Sequence, residues 1–272
     1  MKKITCYFIL FIFSCTLPAL AQQKFKPLPE WLRTATFYQI YPQSFKDTNG
    51  DGIGDINGIT EKLDYMKWLG IDALWLNPCF ESEFQDAGYD VTDFYKVASR
   101  YGTNDDLKKL FLEAKKRDMK VCLDLVAGHT SDKHSWFLES KKKKKNEFSD
   151  RYVWTNDSTY RPEKKYVTAK YERNGAYRKN FFNCQPALNY GFGQPNKDHS
   201  WEQPVTAEGP QKTRRELMKI MDFWMDMGAD GFRVDMAHSL IKNDPDYEET
   251  NKLWYEVRTH FQDKYPEGII IA

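Results

Sequence analysis

Strand-like and helix-like segments that alternate from Thr36 onward, strands that are near-continuous apolar runs, and polar residues gathered at the strands' C-terminal ends predict an α/β fold. Repeated strand-helix units give a parallel sheet, and strands apolar on both sides mean that both faces are covered. Periodicity alone leaves a closed barrel and an open doubly wound sheet both possible. The polar strand ends, together with the lack of a glycine-rich dinucleotide fingerprint after the first strand, favour a TIM (β/α)8 barrel. About five of its strands are present, so the barrel is incomplete, and a small subdomain is inserted after the third strand.

The elements follow in order. Thr36 to Tyr41 is the first strand, and a helical pattern runs from Asn57 to Leu69. Ile71 to Leu76 is the second strand, followed by a helix from Asn104 to Arg117 with Leu107, Leu110, Phe111 and Ala114 at helical spacing. Lys120 to Val126 is the third strand. Residues 129–209, rich in Asn, Tyr, Lys and Gly, break the rhythm and form the inserted subdomain. The lysine run Lys141 to Lys145 within it is read as solvated surface. A helix from about Lys212 to Met227, a fourth strand from Gly231 to Met236, a helix from about Glu248 to Phe261 and a fifth strand from Gly268 to Ala272 complete the pattern. The barrel therefore divides into residues 22–128 and 210–272.

The 272 residues carry a net charge of +1, 41% hydrophobic and 15% aromatic residues, which supports a substantial core and offers no basic field for nucleic acid. Lys2-Lys3 precede an apolar stretch from Ile4 to Leu20 that ends in Ala19-Leu20-Ala21, the pattern of a secretory signal over residues 1–21. That run is short for a retained anchor, and Ile12-Phe13-Ser14-Cys15 fits a lipidation site poorly. The expected destination is periplasmic or extracellular, with no stable membrane span after cleavage. Of the five cysteines only Cys79, Cys122 and Cys184 lie beyond Ala21, too few for a disulfide scaffold, and Cys122 reads as an inert core thiol.

Two stretches carry chemistry. In Gly231-Phe232-Arg233-Val234-Asp235 the side chains of Arg233 and Asp235 lie at i and i+2 of a strand, on one face. The cation favours an ionised carboxylate available as a nucleophile, and a plain strand-end ion pair is the alternative. In Asp47-Thr48-Asn49-Gly50-Asp51-Gly52-Ile53-Gly54-Asp55, oxygen ligands recur at every second position on a glycine-rich loop, which suits a hard cation, above all structural calcium. The twelfth position is Gly58 instead of Glu, so it is no EF-hand, and a metal-free turn is the alternative.

Tyr38 to Pro42 with the loop from Asp47 to Asp55, then Asp86-Ala87-Gly88-Tyr89-Asp90, then Asp124 to His129, then Gly231 to Asp235, resemble in that order the α-amylase family of glycoside hydrolases. The loop and Gln185-Pro186-Ala187-Leu188-Asn189 look most like the oligo-1,6-glucosidase, α-glucosidase and trehalose-synthase branch. The resemblance implies retaining hydrolysis of α-glucosidic bonds in maltooligosaccharides or starch-derived glucans. It makes Asp235 the catalytic nucleophile and Arg233 its supporting cation. His129 and Asp86 would bind sugar hydroxyls, Tyr89 would stack beneath the ring, His238 would reach toward the next sugar, and Asp124 would orient the site. Calcium would be held by Asp47, Asn49, Asp51, Asp55 and the Ile53 carbonyl.

Three departures accompany the resemblance. Gly128 stands where the family has asparagine, and Ala187 where the branch has aspartate. The family's general acid is a glutamate after the fifth strand, and Gly268 to Ala272 stops before it, so the chain alone is expected to be inactive. Two other readings stay open: a non-catalytic glucan-binding protein, and a relative that transfers or isomerises glucose as trehalose synthases do.

Overall fold

Short apolar strands, connected through helices, pair side by side into one five-stranded parallel sheet. The computed structural model of the chain describes residues 26–157, 159, 164–168 and 171–272. The expected signal over residues 1–21 lies outside them. Among the described residues no helix is long and apolar enough to cross a membrane.

β1 (Phe37–Ile40) leads through the Asp47 to Asp55 loop into α1 (Ile56–Glu61) and α2 (Leu63–Trp68). A single helix over 57–69 is expected from the sequence, and the structure corrects this. Lys62, at φ −99° and ψ 4°, ends one helix and begins the next. The apolar stripe survives the break, since Ile56, Ile59, Leu63 and Met66 are all fully buried. β2 (Ala73–Leu76) pairs with β1 in parallel register, Phe37 opposite Ala73.

An antiparallel hairpin not anticipated from the sequence follows, formed by β3 (Phe80–Ser82) and β4 (Val91–Val97). Its ladder shifts register twice, so burial along β4 falls on Val91, Phe94 and Val97. That spacing of three hides the alternation that would have marked a strand. α3 (Asn104–Lys116) starts at a reciprocal capping box between Thr103 and Asp106 and buries Leu107, Leu110, Phe111 and Ala114. β5 (Lys120–Leu125) is the centre of the sheet and is buried along nearly its whole length.

Between β5 and the next barrel helix lie α4 (Ser135–Ser140) and the small ladder of β6 (Tyr166–Val167) with β7 (Tyr177–Arg178). Packed rings of Phe137, Tyr152, Trp154 and Tyr177 hold this inserted region together. α5 (Glu208–Met227) begins four residues before the expected Lys212, because Gly209 and Pro210 are accommodated in its first turn. On it, Trp224 stacks on Phe80 at 5.0 Å and donates its indole N–H to the Phe94 carbonyl at 2.8 Å, which fastens the hairpin to the barrel wall. β8 (Gly231–Val234), α6 (Glu248–Lys264) and β9 (Ile269–Ile271) follow.

The strand order is β1-β2-β5-β8-β9, parallel throughout. A Cβ at Gly231 would run into the Ile269 main chain, so this glycine permits the close β8 to β9 approach. The sheet is the curved inner layer of an incomplete barrel, with one strand per helical unit and the insertion after its third member. Cys79, Cys122 and Cys184 are all free thiols.

Candidate active site

The parallel register of β5 and β8 sets Asp124 directly opposite Arg233. Both point from the same face near the C-terminal ends of their strands, and Asp235 follows two residues later on that face. Arg233 Nη1 donates to Asp235 Oδ1 at 3.0 Å and to both oxygens of Asp124 at 3.3 Å, so one guanidinium joins the two carboxylates. Trp75 on β2 donates its indole N–H to Asp124 Oδ2 at 3.0 Å, and its ring lies 5.0 Å beneath the guanidinium. Tyr89 Oη donates to the same Asp124 oxygen at 3.3 Å.

Burial and charge compete here. Asp124 has no exposed side-chain surface, and that burial pushes its carboxyl up to about 6, with Asp235 adding to the rise and Arg233 and Trp75 opposing it. Burial likewise raises Asp235, against the pull of Arg233; the charge of Asp86 raises it further and His238 lowers it. Arg233 favours the ionised form of Asp235, as expected from their spacing in the sequence. Desolvation outweighs that pull. Burial also works against the charge of Arg233, which the two aspartates restore and hold above its usual value.

A second group of side chains comes from loops. The turn between β3 and β4 carries Asp86 and Tyr89, and the carboxylate of fully buried Asp90 ties it down. Asp90 accepts from the main-chain N–H of Gln85 and Asp86 at 3.0 Å each, and from Ser82 Oγ at 3.0 Å. Ala87 and Gly88, at φ 51° and 97°, make the sharp turn that lifts Asp86 and Tyr89 to one side. Gln185, wholly buried in the inserted region, donates to Asp86 Oδ2 at 2.6 Å. His129 lies just beyond β5 and is 1% exposed, with its Nδ1 2.9 Å from Nδ2 of Asn180. His238 sits exposed on the 3-10 turn Ala237–Ser239, after Met236 has turned the chain through a left-handed φ of 48°.

Asp86, Tyr89, Asp124, Arg233 and His238 thus each interact electrostatically with Asp235. His129 joins them through the Tyr89 main chain. Trp75, Asp90, Asn180 and Gln185 were not singled out from the sequence. Asp90 and Gln185 fell within quoted motifs, whereas nothing local marks Trp75 or Asn180. A cavity of about 380 Å³ lies elsewhere, in the inserted region beside Lys143, Arg173 and Trp201, and another of about 360 Å³ flanks β9 beside Trp254 and Phe261. Neither is lined by the Arg233 carboxylates, and the chemistry marks the site more sharply than the volume does.

The Asp47 to Asp55 loop is a separate structure. Asp47 Oδ1 accepts from Gly50 N at 2.7 Å and Oδ2 from Gly52 N at 2.8 Å, and these main-chain bonds hold the carboxyl below its ordinary range, hence ionised. Asn49 and Asp51 repeat the turn with Asp51 N and Ile53 N. Asp55 is turned inward, where it caps α1 at Gly58 N and accepts from Thr48. Among the described residues no three acidic, histidine or cysteine side chains converge as a closed metal cluster. The oxygens of Asp47, Asn49 and Asp51 and the Ile53 carbonyl fit a hard cation in type and charge, while Asp55 already has protein partners.

The alpha-amylase catalytic-domain family model matches residues 39–269 of the chain. Among curated proteins the chain is similar to an oligo-1,6-glucosidase of Heyndrickxia coagulans, 42% identical over 223 residues, which is 81% of this chain and 39% of that protein. It is also similar to a trehalose synthase/amylase of Mycolicibacterium smegmatis, 36% identical over 255 residues, 89% of this chain and 40% of that protein. A solved trehalulose synthase mutant superposes with a TM-score of 0.74 at 34% identity, covering 89% of this chain and 44% of that one. An isomaltulose synthase mutant from Erwinia rhapontici NX5 in complex with sucrose gives 0.75 at 34%, covering 90% and 45%. The chain spans about two fifths of the length of the curated relatives it matches.

Proposed function

The chain belongs to the alpha-amylase family, and from that premise we propose that it carries the nucleophile half of a retaining active site for α-glucosides. The single observation that carries this reading is the Arg233 guanidinium held between Asp124 and Asp235 at the strand ends. Asp235 attacks the anomeric carbon as its carboxylate. The bond to the leaving oxygen breaks, and a covalent glycosyl-enzyme forms that an acceptor later releases. Asp124 anchors Arg233 from below, so the guanidinium stays beside the nucleophile. Asp86 and His129 hydrogen-bond hydroxyls of the sugar, and the ring of Tyr89 supports its apolar face. The proton donor in this reading is the family's glutamate after the fifth strand. Residues 1–272 alone should then process unactivated maltooligosaccharides about 10²–10⁴-fold more slowly than a chain that includes it.

Fluoride leaves without a proton, which makes it the right probe for this half of the site. Incubation of the chain with a fluorinated α-glucosyl fluoride should yield one covalent adduct, mapped by peptide mass spectrometry to Asp235 and lost in Asp235→Asn. An adduct on another carboxylate, or none, would sink the reading. Similarity to trehalose, trehalulose and isomaltulose synthases supports a second version, in which a sugar hydroxyl replaces water as acceptor. Product analysis separates the two.

We also propose calcium on the Asp47 to Asp55 loop, bound by Asp47, Asn49, Asp51 and the Ile53 carbonyl, with Asp55 as the fifth contributor once it is freed from its cap. A calcium-dependent rise in the thermal midpoint that Asp47→Asn abolishes is the expected result. Export through residues 1–21 predicts a mature N-terminus at Gln22, readable by Edman degradation.

A further inference from the structure

His129 sits where the end of β5 meets the inserted region. Leu188 N donates to the Gly128 carbonyl at 3.0 Å, and His129 faces Ala187 in an isolated antiparallel bridge. The ring is buried, and the geometry of its two nitrogens is unequal. Nδ1 lies 2.9 Å from Nδ2 of Asn180. A side-chain amide nitrogen can only donate, so Nδ1 must accept. A neutral imidazole that accepts at Nδ1 carries its proton on Nε2. Among the described residues that buried Nε2 has no hydrogen-bond partner of ordinary geometry, and the Tyr89 main chain is the acceptor that acts on the ring.

The ring is also neutral at physiological pH. Burial depresses its protonation to about 4; the Tyr89 main chain opposes this, and the Lys242 ammonium reinforces it. A buried donor left unpaired is costly, and the surrounding contacts must offset it. Gly128 completes the arrangement. A Cβ at this position would stand 2.8 Å from Asn180 Nδ2, so the amide occupies its place because residue 128 has no side chain.

We propose that Asn180, from the inserted region, is a positioning residue that fixes His129 as an Nε2–H donor for an acceptor oxygen of the bound sugar, and that Gly128 is the residue that admits it. The identity of the acceptor rests on the glycoside-processing reading; the tautomer does not. The inserted region therefore sets which end of the histidine faces the ligand, and the loop from Phe181 to Asn189, which also brings Gln185 to Asp86, is continuous with that control.

The test is a long-range proton–nitrogen NMR spectrum of the whole chain with ¹⁵N-labelled histidine. The wild-type ring of His129 should be in the Nε2–H form. Asn180→Asp is isosteric and presents only acceptors, so it should make Nδ1–H the major form or protonate the ring fully. Asn180→Leu should leave a mixture, and Gly128→Ala should move part of the population away from Nε2–H by displacing the amide. His134, His199, His238 and His260 report whether each variant keeps the fold. A wild-type ring protonated on Nδ1 overturns the proposal whatever the variants do. So does an unchanged tautomer in a folded Asn180→Asp. Should that variant unfold, the wild-type spectrum and Gly128→Ala decide. No step needs turnover, so an absent adduct on Asp235 with the Nε2–H form present would reject the glycosidase reading alone.

Discussion

The candidate site has two halves built on different principles. Asp124, Arg233 and Asp235 stand on adjacent strands whose ladder fixes their spacing to within a hydrogen bond. Asp86, His129, Gln185 and Asn180 stand on loops, and they meet through side-chain contacts between residues far apart in sequence. The strand half is a charge cluster arranged around one buried carboxylate. The loop half holds one carboxylate, Asp86, through an amide, and a neutral imidazole through another. A strand ladder holds buried charge in place through the main chain, whereas the loop groups are held through side-chain hydrogen bonds, each of which can be removed singly.

The largest test of this contrast is Arg233→Leu. It leaves Asp124 buried without its cation, so a loss of about 3–5 kcal/mol in urea unfolding is expected while that carboxylate is ionised, shrinking on acidification as Asp124, no longer held ionised by the guanidinium, takes up a proton at a higher pH than in the wild type. A loss below about 1 kcal/mol would remove the distinction. The two halves should also tilt the pH profile in opposite directions. The folded value of Asp124, about 6, lies above its ordinary 3.8. Its contribution is therefore fully present below pH 3.8 and is lost as pH rises through 6, on the order of 3 kcal/mol in all. His129 lies at about 4 when folded, below its ordinary 6.5. Its contribution is present above pH 6.5 and lost as pH falls through 4, by a similar amount. Asp124→Asn should flatten the first slope and His129→Gln the second in pH-dependent denaturation; equal effects of both variants on one slope would contradict the assignment. Gln185→Leu should cost about 1–2 kcal/mol, because half-buried Asp86 can recruit water in place of the lost amide. Met236→Gly is the smallest. Relief of the left-handed strain and the added chain freedom nearly cancel, so a shift within about 0.5 kcal/mol is expected in the same assay.

This division also explains what could be read from the sequence. Arg233 and Asp235 are neighbours by alternation, and the apolar runs of the five strands announce a parallel sheet, so the strand half was visible before any coordinates. Asn180 and Gln185 were invisible as site residues, because the contacts that give them meaning reach back 51 and 99 positions. Trp75 lay in an obvious strand, yet its hydrogen bond to Asp124 depends on the register between β2 and β5. The β3 to β4 hairpin was missed because its bulges replace alternation with a spacing of three. The pull of Arg233 on Asp235 is legible in a pentapeptide, and the depth of burial that outweighs it is not.

Trp75 gives the cluster a built-in optical signal. Its indole N–H is bonded to the carboxylate whose protonation lies near pH 6, and its ring carries the guanidinium that answers to that charge. Each proton that arrives at Asp124 changes the field across the chromophore. The difference in emission between wild type and Trp75→Phe should therefore titrate near pH 6 and go flat in Asp124→Asn, so that the state of the buried carboxyl can be followed by fluorescence.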